Sequence, residues 1–242
     1  MPQGSRGRII VDQDFTGGFG DITWGAGEVD LGNGLGLVSV NEGTINTVAD
    51  EANGVVEFLT DTGDNDNCAL YAGQFSIDNG GAVIEARFKV ADDLGVGIFV
   101  GFTETLALDT PVLPAEFATA TMTYNGTGGM VGAQYDLDGT TDGWRAVMGD
   151  GGAAISDSSN GILSSAAAPA ADTYQLVRVE IFSSGGGLVT VDEKVIKKFD
   201  TGTLLTATDN FYGVLMVENR TAAARNVQVD YVYMNANRDW TA

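Results

Sequence analysis

The chain has no histidine, one cysteine, four prolines and only 12 lysines and arginines among 242 residues. Without histidine there are no Ser-His or Cys-His nucleophile pairs, no imidazole metal site and no imidazole pH switch. A lone Cys68 rules out an internal disulfide and leaves structural zinc without ligands. Cys68 precedes Ala69, Leu70 and Tyr71, the setting of a small buried hydrophobe rather than of a nucleophile. Against the 12 basic residues stand 33 acidic ones, a formal net charge of −21. That balance repels phosphate backbones and anionic lipid surfaces, so neither nucleic acid nor membrane is an expected partner. No apolar run approaches the ~20 residues of a membrane span. The first apolar run, Ile9-Ile10-Val11, is too short for the core of a secretory signal, so the chain is expected to be made without a signal peptide.

What the chain does have is glycine (34 residues), a hydrophobic content of 44 % and period-2 alternation. Ala82 to Val90 sets Ile84, Ala86, Phe88 and Val90 against Val83, Glu85, Arg87 and Lys89. Tyr174 to Phe182 sets Val177, Val179 and Ile181 against Leu176, Arg178, Glu180 and Phe182. Val96 to Phe102 carries Val96, Ile98, Val100 and Phe102 on one face and Gly97, Phe99 and Gly101 on the other, which lets a neighbouring segment approach closely. Thr119 to Tyr124 and Met130 to Tyr135 read as a hairpin around Asn125 to Gly129. Leu188 to Val191 and Lys194 to Phe199 flank a turn at Asp192-Glu193. The segment from Gly149 to Asp172 is a long surface loop by composition. Residues 211–234 read as two closing strands joined through Glu218 to Arg225, with Val227, Val229, Tyr231 and Tyr233 sharing a face of the second.

No amphipathic helix of three turns and no solenoid repeat is present, so the expectation is all-β: one two-sheet antiparallel sandwich. The proposed division is a flexible basic arm, residues 1–8, and a single β-sandwich domain, residues 9–242.

The order DFTGGFGDITWG, VIEARFKV, VGIFVGFTET, YQLVRVEIF and NVQVDYVYM resembles the concanavalin A-like jelly roll of lectins and glucanases over most of the chain. The closing Asp230-Tyr231-Val232-Tyr233 is similar to the ends of such domains in structural proteins of tailed phages. That resemblance implies a non-enzymatic virion protein, a capsid decoration or cement protein on the outer head surface. Its partners would be the major capsid protein or other virion proteins, its location the virion, and its expected assembly a homotrimer. The alternative is a glycan-binding, lectin-like module on a phage fibre or a secreted protein.

The candidate residues follow from these two alternatives. Arg6 and Arg8, ahead of every acidic residue, are candidates for anchoring on an acidic capsid surface. Among aromatic residues in or near loops (Trp24, Trp144, Trp240, Tyr124 and Tyr135), Trp144 and Tyr135 are the glycan-stacking candidates, although packing at the sandwich ends is the simpler role. Asp61, Asp64 and Asp66 form an oxygen-rich run that calcium favours, with Asx turns as the plainer account. No cofactor beyond calcium is expected. The Glu-x-Asp-x-x-Glu strand of the resembled glucanases is absent: Glu28 and Asp30 are followed by Asn33, in what reads as a glycine-rich turn. Catalytic residues are therefore none.

Overall fold

In the computed structural model the described residues are 8–237, apart from 17–21, 25–26, 33, 40, 42, 50–53, 91–93, 108–110, 119–120, 127, 140, 151–152, 155–161, 164–168, 201–204 and 206–208. The described chain is built of strands: β1 (Arg8–Gln13), β2 (Ile22–Trp24), β3 (Gly27–Gly32), β4 (Leu35–Ser39) and β5 (Gly43–Thr47). Next come β6 (Val56–Thr60), β7 (Asn67–Ser76), β8 (Ala82–Val90), β9 (Val96–Thr103), β10 (Ala115–Ala118) and β11 (Thr121–Tyr124). Then follow β12 (Met130–Asp136), β13 (Arg145–Asp150), β14 (Ala153–Ala154), β15 (Ile162–Leu163) and β16 (Gln175–Ile181). The last four are β17 (Gly187–Val191), β18 (Lys194–Phe199), β19 (Asn210–Asn219) and β20 (Asn226–Asn237).

Two antiparallel sheets face each other. The first runs β18-β17-β16-β8-β20-β6-β5-β2, with β1 also on β20; the second runs β14-β13-β12-β9-β19-β7-β4-β3, with β15 also on β13. Alternation sets their inner faces as the sequence implies: Ile84, Ala86, Phe88 and Val90 of β8 and Val177, Val179 and Ile181 of β16 are buried in the core between the sheets. Their outer partners meet across the ladder, Arg178 opposite Glu85 and 3.3 Å from its carboxylate. At the β17–β18 turn Asp192 (φ 48°) and Glu193 (φ 63°) both take the left-handed conformation, the twist-matched two-residue hairpin.

The C-terminal strands depart from expectation. β19 and β20 are not hairpin partners; they lie in opposite sheets, so residues 220–225 cross the end of the sandwich. Within β20 the ladder to β8 skips Asp230 between Val229 and Tyr231. This bulge inserts one residue and reverses the parity of everything after it. Val227 and Val229 are buried as expected, but Val232, Met234 and Ala236 then turn inward while Tyr231 and Tyr233 turn outward.

The expected hairpin between Thr119 to Tyr124 and Met130 to Tyr135 does not form. β11 pairs with β10, whereas β12 lies deep in the second sheet between β9 and β13. The reason is hydrophobic: every residue of β12 is buried, so it needs cover on both faces. Glu28 and Asp30, expected in a turn, lie instead in β3, exposed on alternate positions. Arg8, placed in the arm, opens β1 and pairs with Asn237.

The second sheet is covered on its outer face too. Val38, Ala69, Phe99, Met130, Val147, Val214 and Met216 point outward into a second apolar cluster with Leu106, Leu113, Ala115, Phe117 and Met122. The described residues 111–118 and 121–125, with the β10–β11 hairpin, thus form a strap across that sheet. At ~1.5–3 kcal/mol for each large apolar side chain buried, Leu106, Leu113, Phe117 and Met122 offset much of the cost of ordering a short hairpin. Gly97 permits the approach, as expected, because a Cβ there would sit 2.6 Å from Leu113 Cδ1.

Candidate functional site: a polar loop cluster at one end of the sandwich

Strands β6, β12 and β19 end, and β7, β9, β13 and β20 begin, at the same end of the molecule. The described residues of their connections, 61–66, 137–139, 141–144 and 220–225, gather there. At the centre is Arg220, whose side chain is 3 % exposed. Its N–H donates to Gly95 O at 3.0 Å, fixing the start of the crossing. The guanidinium donates to Asp136 through Nε (3.1 Å) and Nη2 (2.8 Å), and to Asn65 Oδ1 through Nη1 (2.9 Å). Nη1 also lies 2.8 Å from Glu218 Oε1, and Nη2 lies 3.4 Å from Glu116 Oε2.

One cation thus serves three carboxylates, two of them fully inside the protein. Burial pushes the Glu218 carboxyl up to about 7, aided by Glu116 and opposed by Arg220. Burial also raises Asp136, while Arg220 and the N–H groups of Phe117 (2.7 Å) and Asp138 (3.1 Å) pull it back. The network fastens the strap as well. Asn67 Nδ2 donates to Pro111 O at 2.6 Å and to Glu218 Oε2 at 3.3 Å, and Glu116 and Phe117 belong to β10.

The loop 61–66 is braced from beneath. Asp66 is buried, accepting from the Asn41 amide and from Gly63 N–H (2.8 Å). Asn219 N–H donates to Asp66 O (2.8 Å), and Asn65 N–H donates to Asn219 O (3.0 Å). Asn65 holds φ 66°, a conformation asparagine tolerates. Asp61 Oδ1 accepts from the adjacent Thr62 N–H at 2.7 Å. The calcium trio is therefore not drawn together: Asp66 faces inward, Asp64 faces solvent, and among the described residues no three acidic side chains stand within reach of one ion.

Trp144 and Tyr135 need a correction. They are 0 % and 1 % exposed, inside the core, so neither ring offers a face to a sugar. Trp144 Nε1 donates to Gln175 Oε1 at 3.0 Å, and its ring packs against Phe88 and Tyr135 with centroids 6.1 Å apart in each case. Parity carried this signal: Trp144, Ala146 and Met148 alternate into the same core. Trp24 lies in β2, its side chain outside the described residues, as are Trp240 and Arg6. Arg220 and Asp136 were missed, yet each is a charge at the end of an apolar strand buried on both faces, in VLMVENR and MVGAQYD. Such charges must be paired.

Above the network, Asp64, Asn65, Leu137, Asp138, Thr141 and Asp142 form an exposed rim. It offers carboxylates, an amide and a hydroxyl for hydrogen bonds, and Leu137 as an apolar contact 36 % exposed.

No protein-family model matches the chain, and no curated protein matches it in sequence. Solved structures do resemble it. A protein of unknown function from Shewanella oneidensis MR-1 superposes with a TM-score of 0.54 at 14 % identity, over 92 % of this chain and 89 % of that one. The potassium-bound carbohydrate recognition domain of Emp46p gives 0.55 at 12 % identity, over 83 % and 88 %. Peanut lectin in complex with a nine-residue peptide gives 0.50 at 12 % identity, over 90 % and 98 %. With the two antiparallel sheets and their strand order, these likenesses establish that the chain has the concanavalin A-like sandwich fold.

Proposed function

We propose that the protein is a non-enzymatic glycan-binding module whose contact surface is the rim of the loop end. The supporting observation is the exposed set Asp64, Asn65, Asp138 and Asp142 standing on a rigid ionic network, in a fold shared with a carbohydrate recognition domain. Hydroxyl-rich ligands suit such a rim, because carboxylates accept from sugar hydroxyls in charge-assisted bonds that need no aromatic platform. Catalysis is not part of the proposal. A glycosidase needs a protonated acid and an ionised carboxylate flanking a sugar, and Glu218, one of two carboxyls raised to about 7, is locked against Arg220 and Asn67.

A glycan array followed by calorimetry tests this. Replacing Asp138 and Asp142 together by alanine should weaken binding at least about tenfold, roughly 1.4 kcal/mol. No binding to any arrayed glycan overturns the proposal. Capsid decoration has no comparable support, and of its anchoring residues Arg6 lies outside the described residues while Arg8 is held in a strand. Immunogold labelling of phage particles discriminates: label on fibres fits glycan binding, and label spread over heads returns the decoration role.

A further inference from the structure

At the end opposite the loop cluster, β1 runs along the second half of β20 and places Arg8 beside Asn237. Ile9 and Val11 turn into the core, so Arg8 and Asn237 share the outer face of the first sheet. Among the described residues, neither the Arg8 guanidinium nor the Asn237 amide has a hydrogen-bond or ion-pair partner. They line an open depression of about 260 Å³ together with Arg178, Glu180 and Asn235, whose Nδ2 already donates to Tyr233 Oη at 3.0 Å and whose Oδ1 is left to accept. Gly80 (φ 123°) lies against the Asn237 amide, since a Cβ there would stand 2.1 Å from its nitrogen and push the side chain aside. Arg178 is already held by Glu85 at 3.3 Å and Glu180 at 3.0 Å, so among the described lining residues Arg8 is the cation without an ion pair.

We infer that this depression binds one acidic sugar residue, its carboxylate on the Arg8 guanidinium and Asn237 amide and its hydroxyls on Glu180 and Asn235. A guanidinium beside an amide donor matches a planar oxyanion. Glu180 chooses the rest of the ligand: it repels the second carboxylate of an acidic peptide but accepts from a sugar hydroxyl. The preference for a sugar rests on the glycan-binding proposal; the oxyanion chemistry does not. The volume is below the ~300–1,000 Å³ of drug-sized ligand sites, so the depression itself contacts about one ring and leaves the rest of a longer chain in solvent. A net charge of −21 repels anions at long range, but screening beyond ~8 Å at physiological ionic strength leaves the decision to contacts.

The test is nuclear magnetic resonance of the ¹⁵N-labelled full chain titrated with glucuronate, glucose and acetate at matched ionic strength. Glucuronate should give saturable shifts at the Asn237 side-chain amide with a Kd on the order of 1 mM. Glucose should give none, and acetate should bind about tenfold more weakly. Arg8→Gln, at an exposed position, should keep the melting temperature and lower glucuronate affinity about tenfold. Asn237→Asp, which sets a carboxylate against the ligand, should lower it further. Equal responses to glucuronate and glucose, acetate binding as tightly as glucuronate, or full affinity in Arg8→Gln would each overturn the inference. The Asp138 and Asp142 double variant should bind glucuronate normally, which separates this depression from the rim; an array without neutral-glycan ligands would sink the rim alone.

Discussion

Arg220 holds two carboxylates that have left water almost completely, Asp136 at 0 % and Glu218 at 2 % side-chain exposure. Removing a buried partner leaves an uncompensated charge, which costs about 3–5 kcal/mol. Arg220→Met should therefore lower stability by about that much in urea unfolding; a loss under about 1 kcal/mol would show that the network is not a structural clamp. Glu218 sets a pH dependence. Its carboxyl is raised from 4.5 to about 7 in the fold, so between those values the folded state binds more protons than the unfolded chain. The associated stability is fully present below about pH 4.5 and is lost as pH rises through about 7. Glu104, raised to about 7 by burial and by Asp209, acts in the same direction. Melting temperature should fall from pH 5 to pH 8, and Glu218→Gln should shallow that slope without abolishing it; an unchanged slope would remove Glu218 as a contributor. Asp66 is already engaged by Asn41 and Gly63, so a chelator should leave the melting temperature unchanged. A drop would restore calcium to the 61–66 loop.

At the scale of the element, β20 shows how one residue decides a strand. Asp230 is the extra residue of its bulge and pairs with Arg87 on the outer face. Deleting Asp230 leaves Val229 opposite Phe88, Tyr231 opposite Arg87 and Val232 opposite Ala86, with every inner residue still inner. The deletion should fold and melt within a few degrees of the parent. Deleting Val232 instead would turn Tyr233 inward and Met234 outward, and should give insoluble protein. If the Asp230 deletion is the insoluble one, the bulge itself is required. Alternation in β8 and β16 was legible because their registers are unbroken, and the β17–β18 turn because Asp192 and Glu193 tolerate the backbone it needs. The bulge was not legible. Val227, Val229, Tyr231 and Tyr233 keep period 2 through VQVDYVY in sequence, and only pairing with β8 shows where a residue is left out.

Across the whole molecule, the excess of acidic residues makes self-repulsion the dominant long-range field. Raising salt from about 0.01 M to about 1 M shortens the screening length from ~30 Å to ~3 Å and should raise the melting temperature. A fall would mean that the outer-face pairs of Arg87 and Arg178 with Asp230, Glu85 and Glu180 outweigh the repulsion. Composition, the absence of histidine and strand periodicity were enough to reach an all-β sandwich and to exclude histidine chemistry, because those properties are local or additive along the chain. The sites depended on distant contacts. Trp144 is a core residue because Phe88, Tyr135 and Gln175 surround it, and Arg220 is a clamp because Asp136, Asn65 and Glu116 converge from other strands. Which sheet each strand joins, which face the strap covers and which polar groups meet at the loop end are set by pairing between residues far apart in sequence, and local pattern carries no record of that pairing.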